Sequence, residues 1–257
     1  MKIPILMYHR VGDNSAERRF TVSTALFEQQ MRCVRDLSYR VVGLDEVTAA
    51  VEGKTVLAAK SVAITFDDGF QDTFENAAPV LSGLGYSATF FLVSQLLGTH
   101  NSWMEREGYP SAHLMNWTAA KELLRHGFTV GSHSRTHPSL IQHDETRISD
   151  EVEGSRRDLE DRLAAPIRYF AYPYGHFDDR VLTALHRSGY TAACSTQSGF
   201  NNVTTDRYRL RRLDVSGRDS TRTFIRSLEF GENSMTARRL FHYYSKQAAS
   251  RILFRGI

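Results

Sequence analysis

Short apolar runs alternate with amphipathic stretches along almost the whole chain, which is the pattern of repeated βα units. Strands are predicted at Ile3 to Tyr8, Val62 to Phe66, Ala88 to Val93, Phe128 to Gly131, Tyr169 to Tyr172, Tyr190 to Cys194 and Tyr208 to Leu213, with a shorter one at Arg40 to Gly43. Between them, Phe27, Met31, Val34 and Leu37 recur at helical spacing after a Ser23 or Thr24 cap, and Ile148, Val152, Leu159 and Leu163 do so in a charged segment. Both read as outer helices. Phe74, Ala77, Ala78 and Leu81 predict a third, closed by the Gly-containing SGLGY stretch. About seven βα units predict an α/β fold with a closed or nearly closed barrel in a single domain; an open doubly wound sheet is the alternative. Residues Gly98 to Met115 show no periodicity and carry His100, Trp103 and Tyr109, so they read as a long loop over one barrel face.

Composition changes this picture little. At 257 residues, with 41% hydrophobic and 24% charged positions, the chain can bury a sizeable core. The net charge of +3 is spread through the sequence rather than gathered into a basic footprint, so nucleic acid is not expected as a partner. Cys33 and Cys194 match no zinc or redox spacing and read as buried free thiols, a disulfide between them being the alternative. Tyr8, His9 and Arg10 interrupt the first apolar run before it reaches signal-peptide length, so a cytoplasmic location is expected. No run of roughly 18 apolar residues is present to span a membrane.

The chemistry concentrates at strand ends. VAITFDDGF places Asp67 and Asp68 directly after an apolar strand, where a barrel keeps its active site. Two carboxylates so close repel, and keeping both ionised requires a cation or donors nearby. A turn with an aspartate capping the next helix is the plain structural alternative. FTVGSHSRTHPSL shifts the balance, because it follows another strand and sets His133 and His137 four residues apart, a spacing that can point two imidazoles at one ion. A carboxylate and two imidazoles leave coordination positions open, as a catalytic site requires.

TFDDGF, HSRTH and FAYPYG stand in this order and at this spacing in the polysaccharide deacetylases, the carbohydrate esterases that share the NodB homology domain, and the sequence resembles that family over about Ile3 to Asp214. MYHRV is similar to the subgroup acting on poly-N-acetylglucosamine. The resemblance implies a distorted (β/α) barrel of about seven parallel strands and removal of acetyl groups from N- or O-acetylated sugars with a divalent metal, commonly Zn2+, with Co2+ or Ni2+ as alternatives. It implies Asp68, His133 and His137 as metal ligands and Asp67 as general base. It further implies that Tyr174 of FAYPYG offers its backbone N–H to the oxyanion while its ring lines the sugar site.

Two positions depart from the family pattern. Ala171 stands where many members carry an arginine that orients the base, and Arg212, or else Arg211, of YRLRRLDV is the expected substitute. No terminal leucine-x-histidine motif supplies the general acid; His9, at the end of the first strand, is the best candidate ahead of His176 and His242, because the resemblance implies that the early histidine of the subgroup sits on the acid's side of the pocket, and an imidazole can protonate a leaving amine near neutral pH.

The expected domain is thus residues 1–230, followed at 231–257 by a segment in which Arg238, Arg239, Lys246, Arg251 and Arg255 interleave with Leu240, Phe241, Tyr244, Ile252 and Phe254. Such a basic amphipathic helix either docks on the barrel or makes peripheral contact with an anionic membrane. The expected function is metal-dependent removal of N-acetyl groups from an N-acetylamino sugar or glycan. Hydrolysis of another C–N bond, in a cyclic imide or ureide, and a catalytically weak carbohydrate-binding protein are the alternatives.

Overall fold

The computed structural model describes residues 2–13, 17–105 and 108–233. The segment 231–257, predicted as a basic helix, therefore lies almost wholly outside the described residues, as does His242.

The chain runs β1 (Ile5–Tyr8), β2 (Arg10–Val11), β3 (Thr21–Val22), α1 (Thr24–Asp36), β4 (Arg40–Val41), α2 (Leu44–Val51) and β5 (Ser61–Phe66). It continues with α3 (Ala78–Leu84), β6 (Thr89–Leu92), α4 (Ser102–Glu105), α5 (Trp117–Arg125) and β7 (Thr129–Ser132). The last elements are α6 (Glu145–Leu163), β8 (Tyr169–Ala171), α7 (Asp179–Ser188), β9 (Ala192–Cys194), β10 (Leu213–Asp214) and α8 (Thr221–Phe230). Seven strands form one parallel sheet in the order β10-β1-β5-β6-β7-β8-β9, with β4 pairing the start of β5. The sheet curls until Leu210, just ahead of β10, pairs in parallel with Cys194 of β9. The result is the curled, nearly closed barrel expected, not an open sheet.

Strand residues alternate between two faces. Leu6, Tyr8, Ile64, Phe66, Phe90, Val130 and Phe170 pack outward against Phe27 and Met31 of α1, Leu123 of α5, Val152 and Leu159 of α6 and Leu185 of α7. Ile5, Ala63, Phe91, Tyr169, Ala192 and Cys194 fill the inside together with Leu44 and Val47 of α2. Burial on both faces is why the strands read as continuous apolar runs. Phe66 stacks on Phe90 with centroids 4.7 Å apart and on Tyr8 at 5.4 Å, which ties three neighbouring strands on the outer side.

The helices start and stop where local chemistry directs. Ser23, rather than Thr24, caps α1 by accepting the Leu26 N–H, Asp144 caps α6, and Gly85 ends α3 in the left-handed region at φ 66°. Some expectations need correction. The predicted strand Tyr208 to Leu213 is a single turn at Arg207–Arg209 followed by β10, because Asp206 accepts the Tyr208 N–H and the Tyr208 hydroxyl donates to the Tyr190 carbonyl. The third helix opens with a wide turn over Thr73–Ala77 before α3 begins. The short pair β2–β3 was not visible in the hydrophobic pattern. Cys194 is buried but Cys33 only half so, and both are free thiols. Among the described residues no helix is long and apolar enough to cross a membrane.

Candidate active site

Inward parity decides which side chains enter the mouth of the barrel. Strand geometry runs one residue past β5 and β7, since the Asp67 N–H still donates to the Tyr8 carbonyl and the His133 N–H to the Leu92 carbonyl. Asp67 therefore continues the inward set of Ala63 and Thr65, His133 that of Thr129 and Gly131, and His9 that of Ile5 and Met7. Leu210, Arg212 and Asp214 share one parity on the closing segment, and Arg211, of opposite parity, is exposed.

Arg212 and Asp67 form a buried two-pronged pair. Nη1 and Nη2 donate to the two carboxylate oxygens at 2.6 and 2.7 Å, while Nε donates to the Ser195 carbonyl at 3.0 Å and Nη1 also reaches Thr65 Oγ1 at 3.2 Å. Burial works against the charge on Asp67, but the Arg212 guanidinium foremost, helped by His133 and His9, holds its carboxyl below the ordinary carboxylate range. Asp67 is thus ionised and fixed in orientation.

One residue later the backbone turns sharply, with Asp68 at φ 72° and Gly69 at φ 76°. The left-handed turn at 69 favours glycine, and a Cβ there would stand 2.8 Å from Leu92 Cδ2. The turn brings Asp68 Oδ1 to 3.3 Å from Nε2 of both His133 and His137. These three ligand atoms lie within 4.8 Å of one another, all on buried residues. Asp68 Oδ1 takes no hydrogen bond from a described residue, although burial works against its charge and only the two imidazoles hold its carboxyl far down. An unsatisfied buried carboxylate oxygen facing two imidazole nitrogens at about the edge length of a tetrahedral zinc shell is what a divalent ion would complete. One oxygen and two nitrogen donors suit Zn2+ and its neighbours and leave positions open. Burial pulls the His137 imidazole down; His133 feels the same penalty but is pushed up by Asp68 and Asp67.

The two imidazoles are held in different ways. His133 Nδ1 lies 2.8 Å from the Ala171 carbonyl, which places the ring proton on Nδ1 and turns Nε2 towards Asp68. Ala171, expected to leave the site without an orienting side chain, contributes through its backbone carbonyl. His137 is clasped between aromatic rings: Trp103 stacks on it at 4.3 Å and 18°, and Tyr174 meets it edge-on at 4.8 Å. Like Asp68, both His137 at φ 61° and Tyr174 at φ 58° occupy the left-handed region, which costs about 1–3 kcal/mol each and is found at functional sites.

The turn carrying both histidines is anchored from behind by α6. Ser134 Oγ accepts the His137 N–H at 3.0 Å. Glu151, fully buried, accepts the N–H groups of Arg135 and Thr136 at 2.8 and 2.9 Å and the Thr136 hydroxyl at 2.6 Å. Replacing Glu151 by glutamine is expected to cost about 1.5–3 kcal/mol of stability and to weaken metal binding about tenfold, checked by thermal unfolding and by zinc titration against a competing chelator.

Asp67, Asp68, His133, His137, His9 and Tyr174 all line one cleft of about 550 Å³. His9 lies within electrostatic reach of Asp67, and its ring packs edge-on against Phe20 at 5.2 Å. His176 is an exposed residue of the same rim, 3.0 Å from Ser139 Oγ. The walls missed by sequence reasoning include Arg19, Phe20, Met104, Thr196 and Asp214. The aperiodic loop was the only signal for Met104; the others carry no local pattern that marks a cleft.

An α/β barrel with an Asp-His-His cluster that could hold a metal, and an ionised aspartate beside it, has the donor set of a hydrolytic metal site. Residues 54–193 match the polysaccharide deacetylase family, and the chain is a member of it. It is 27% identical over 215 residues to YxkH of Bacillus subtilis, whose name places it among the polysaccharide deacetylases, covering 84% of this chain and 72% of that one. It is 24% identical to the poly-beta-1,6-N-acetyl-D-glucosamine N-deacetylase of Staphylococcus epidermidis, over 81% of this chain and 72% of that one. The Streptococcus pyogenes deacetylase PplD, solved in complex with acetate, superposes with a TM-score of 0.77 at 26% identity, over 89% of this chain and 98% of that one. Membership of this family makes the chain a deacetylase acting on carbohydrate.

Proposed function

We propose that the chain removes N-acetyl groups from N-acetylglucosamine units of a glycan, with zinc at Asp68, His133 and His137. The observation that carries this reading is the pairing of an Asp-His-His cluster with a second aspartate that is buried, ionised and clamped by Arg212. When bound, a divalent ion supplies Lewis acidity that lowers the pKa of water and polarises an acetyl carbonyl. Asp67, next in sequence to a ligand but itself engaged by Arg212, takes a proton from the attacking water. Its orientation is set before substrate arrives.

His9 supplies the proton to the departing amine, which an amide needs more than an ester does. Its ring enters the cleft from β1, on the same wall as Asp67. Tyr174 and Gly175 form a left-handed turn at the cleft, from which the Tyr174 N–H would serve the oxyanion and the half-exposed ring would stack on a sugar face. Trp103 and Tyr174 also shield the His137 side of the cluster from water.

Acetate release from β-1,6- and β-1,4-linked N-acetylglucosamine oligomers tests the reading. Turnover is expected to vanish on treatment with a chelator and to return with one equivalent of Zn2+. Ring opening of cyclic imides or ureides to the half-amide or ureido acid, without acetate release from the glycans, would overturn it.

A further inference from the structure

The loop that roofs the cleft is closed at its neck by a histidine pair that the proposed chemistry does not use. Asn101 N–H donates to the Ala112 carbonyl at 3.1 Å and Leu114 N–H to the Thr99 carbonyl at 2.9 Å. His100 and His113 are therefore directly opposite each other in an antiparallel bridge, as a pair not hydrogen-bonded to each other through the backbone. That register brings facing side chains closest. Both side chains are exposed, their ring centroids are 3.9 Å apart, and their Nε2 atoms are 3.2 Å apart.

We propose that His100 and His113 are a second metal site, separate from the Asp-His-His cluster, that binds Zn2+, Cu2+ or Ni2+ through both Nε2 atoms. Two nitrogens each about 2.0–2.1 Å from one zinc ion at a tetrahedral angle lie roughly 3.3–3.4 Å apart, close to the spacing already present. Imidazole pairs suit these late divalent ions, with Cu2+ bound most tightly in the usual order. The rings are closer to side by side than to radiating from a common point, so binding requires a small outward swing, which exposed side chains make cheaply. Water fills the remaining positions.

The consequence falls on the loop. Residues 101–112 leave and return through this neck and carry Trp103, Met104 and Tyr109 into the cleft wall, with Trp103 stacked on His137. A metal across His100 and His113 fastens both ends of the loop, so opening of the loop at its neck is reduced.

Zinc titration of the holoprotein, already carrying one equivalent, tests the site by equilibrium dialysis. The wild type is expected to take up a further equivalent, which His113→Gln and His100→Asn each lose while their thermal unfolding and acetate release in zinc-buffered solution stay as in the wild type. Amide hydrogen exchange over 101–112 is expected to slow with the added equivalent in the wild type only. The Asp68→Asn variant separates the two sites, since it should lose the tight equivalent and keep the weaker one. Equal uptake by wild type and both histidine variants would overturn the proposal and leave the pair as a hydrogen bond between imidazoles. That result would not touch the deacetylase reading, which rests on the tight equivalent.

Discussion

Replacing Asp67 by asparagine is expected to lower deacetylation about 10²- to 10⁴-fold while the metal stays bound, because the change removes a proton acceptor and no ligand atom. The isosteric amide keeps one oxygen for Arg212, so the pocket should remain folded. Metal content measured on the same preparation as the kinetics separates the two adjacent aspartates: Asp68→Asn is expected to lose metal and turnover together. An Asp67→Asn enzyme with undiminished turnover would exclude Asp67 as the base.

The second large effect is on Arg212. Changing it to methionine removes the partner of a buried carboxylate, and breaking a buried pair from one side costs about 3–5 kcal/mol. A thermal or urea melt at neutral pH checks the loss. Asp67 in the folded protein titrates below its unfolded value, so the pair's contribution is fully present above the ordinary aspartate pKa of about 3.9 and disappears as the pH falls through the depressed folded value. In Arg212→Met, burial is no longer opposed by the guanidinium, and the Asp67 carboxyl moves up. The stability difference between wild type and variant should therefore shrink in acid, and the acid limb of the activity profile should shift to higher pH in the variant. Arg212→Lys, which offers a point charge in place of a fork, is expected to restore part of the stability and less of the activity. A variant whose melt matches the wild type at neutral pH would mean that Asp67 is neutral in the folded protein.

The same pair shows how far a sequence reaches. Asp67, Asp68, His133 and His137 were legible as a group because each follows an apolar run, and parallel strands in a barrel deliver their C-terminal ends to one rim. The helices around Phe27 and Ile148 were legible because their apolar spacing has no other use than to face a sheet. Arg212 was a choice between neighbours. Residues 211 and 212 are chemically identical, and only inward or outward parity separates them, which depends on where the closing segment pairs with β9. The strand expected over Tyr208 to Leu213 had its apolar residues in view, but not the Asp206 cap and the Tyr208 hydroxyl bond that turn its first half into a coil.

What the sequence by itself determined is the set of donors, their attachment to strand ends and the family to which they belong, because these follow from local order along the chain. Which groups meet was decided by the tertiary structure. The Arg212 fork on Asp67 spans 145 positions, and the Ala171 carbonyl that orients His133 spans 38. The clasp of Trp103 and Tyr174 on His137 joins three connections that follow three different strands, β6, β7 and β8. Hydrophobic periodicity specifies that strands and helices form. The curl of the sheet specifies which of their ends come within a hydrogen bond of each other, and it is the sum of packing around the whole barrel that no single segment encodes.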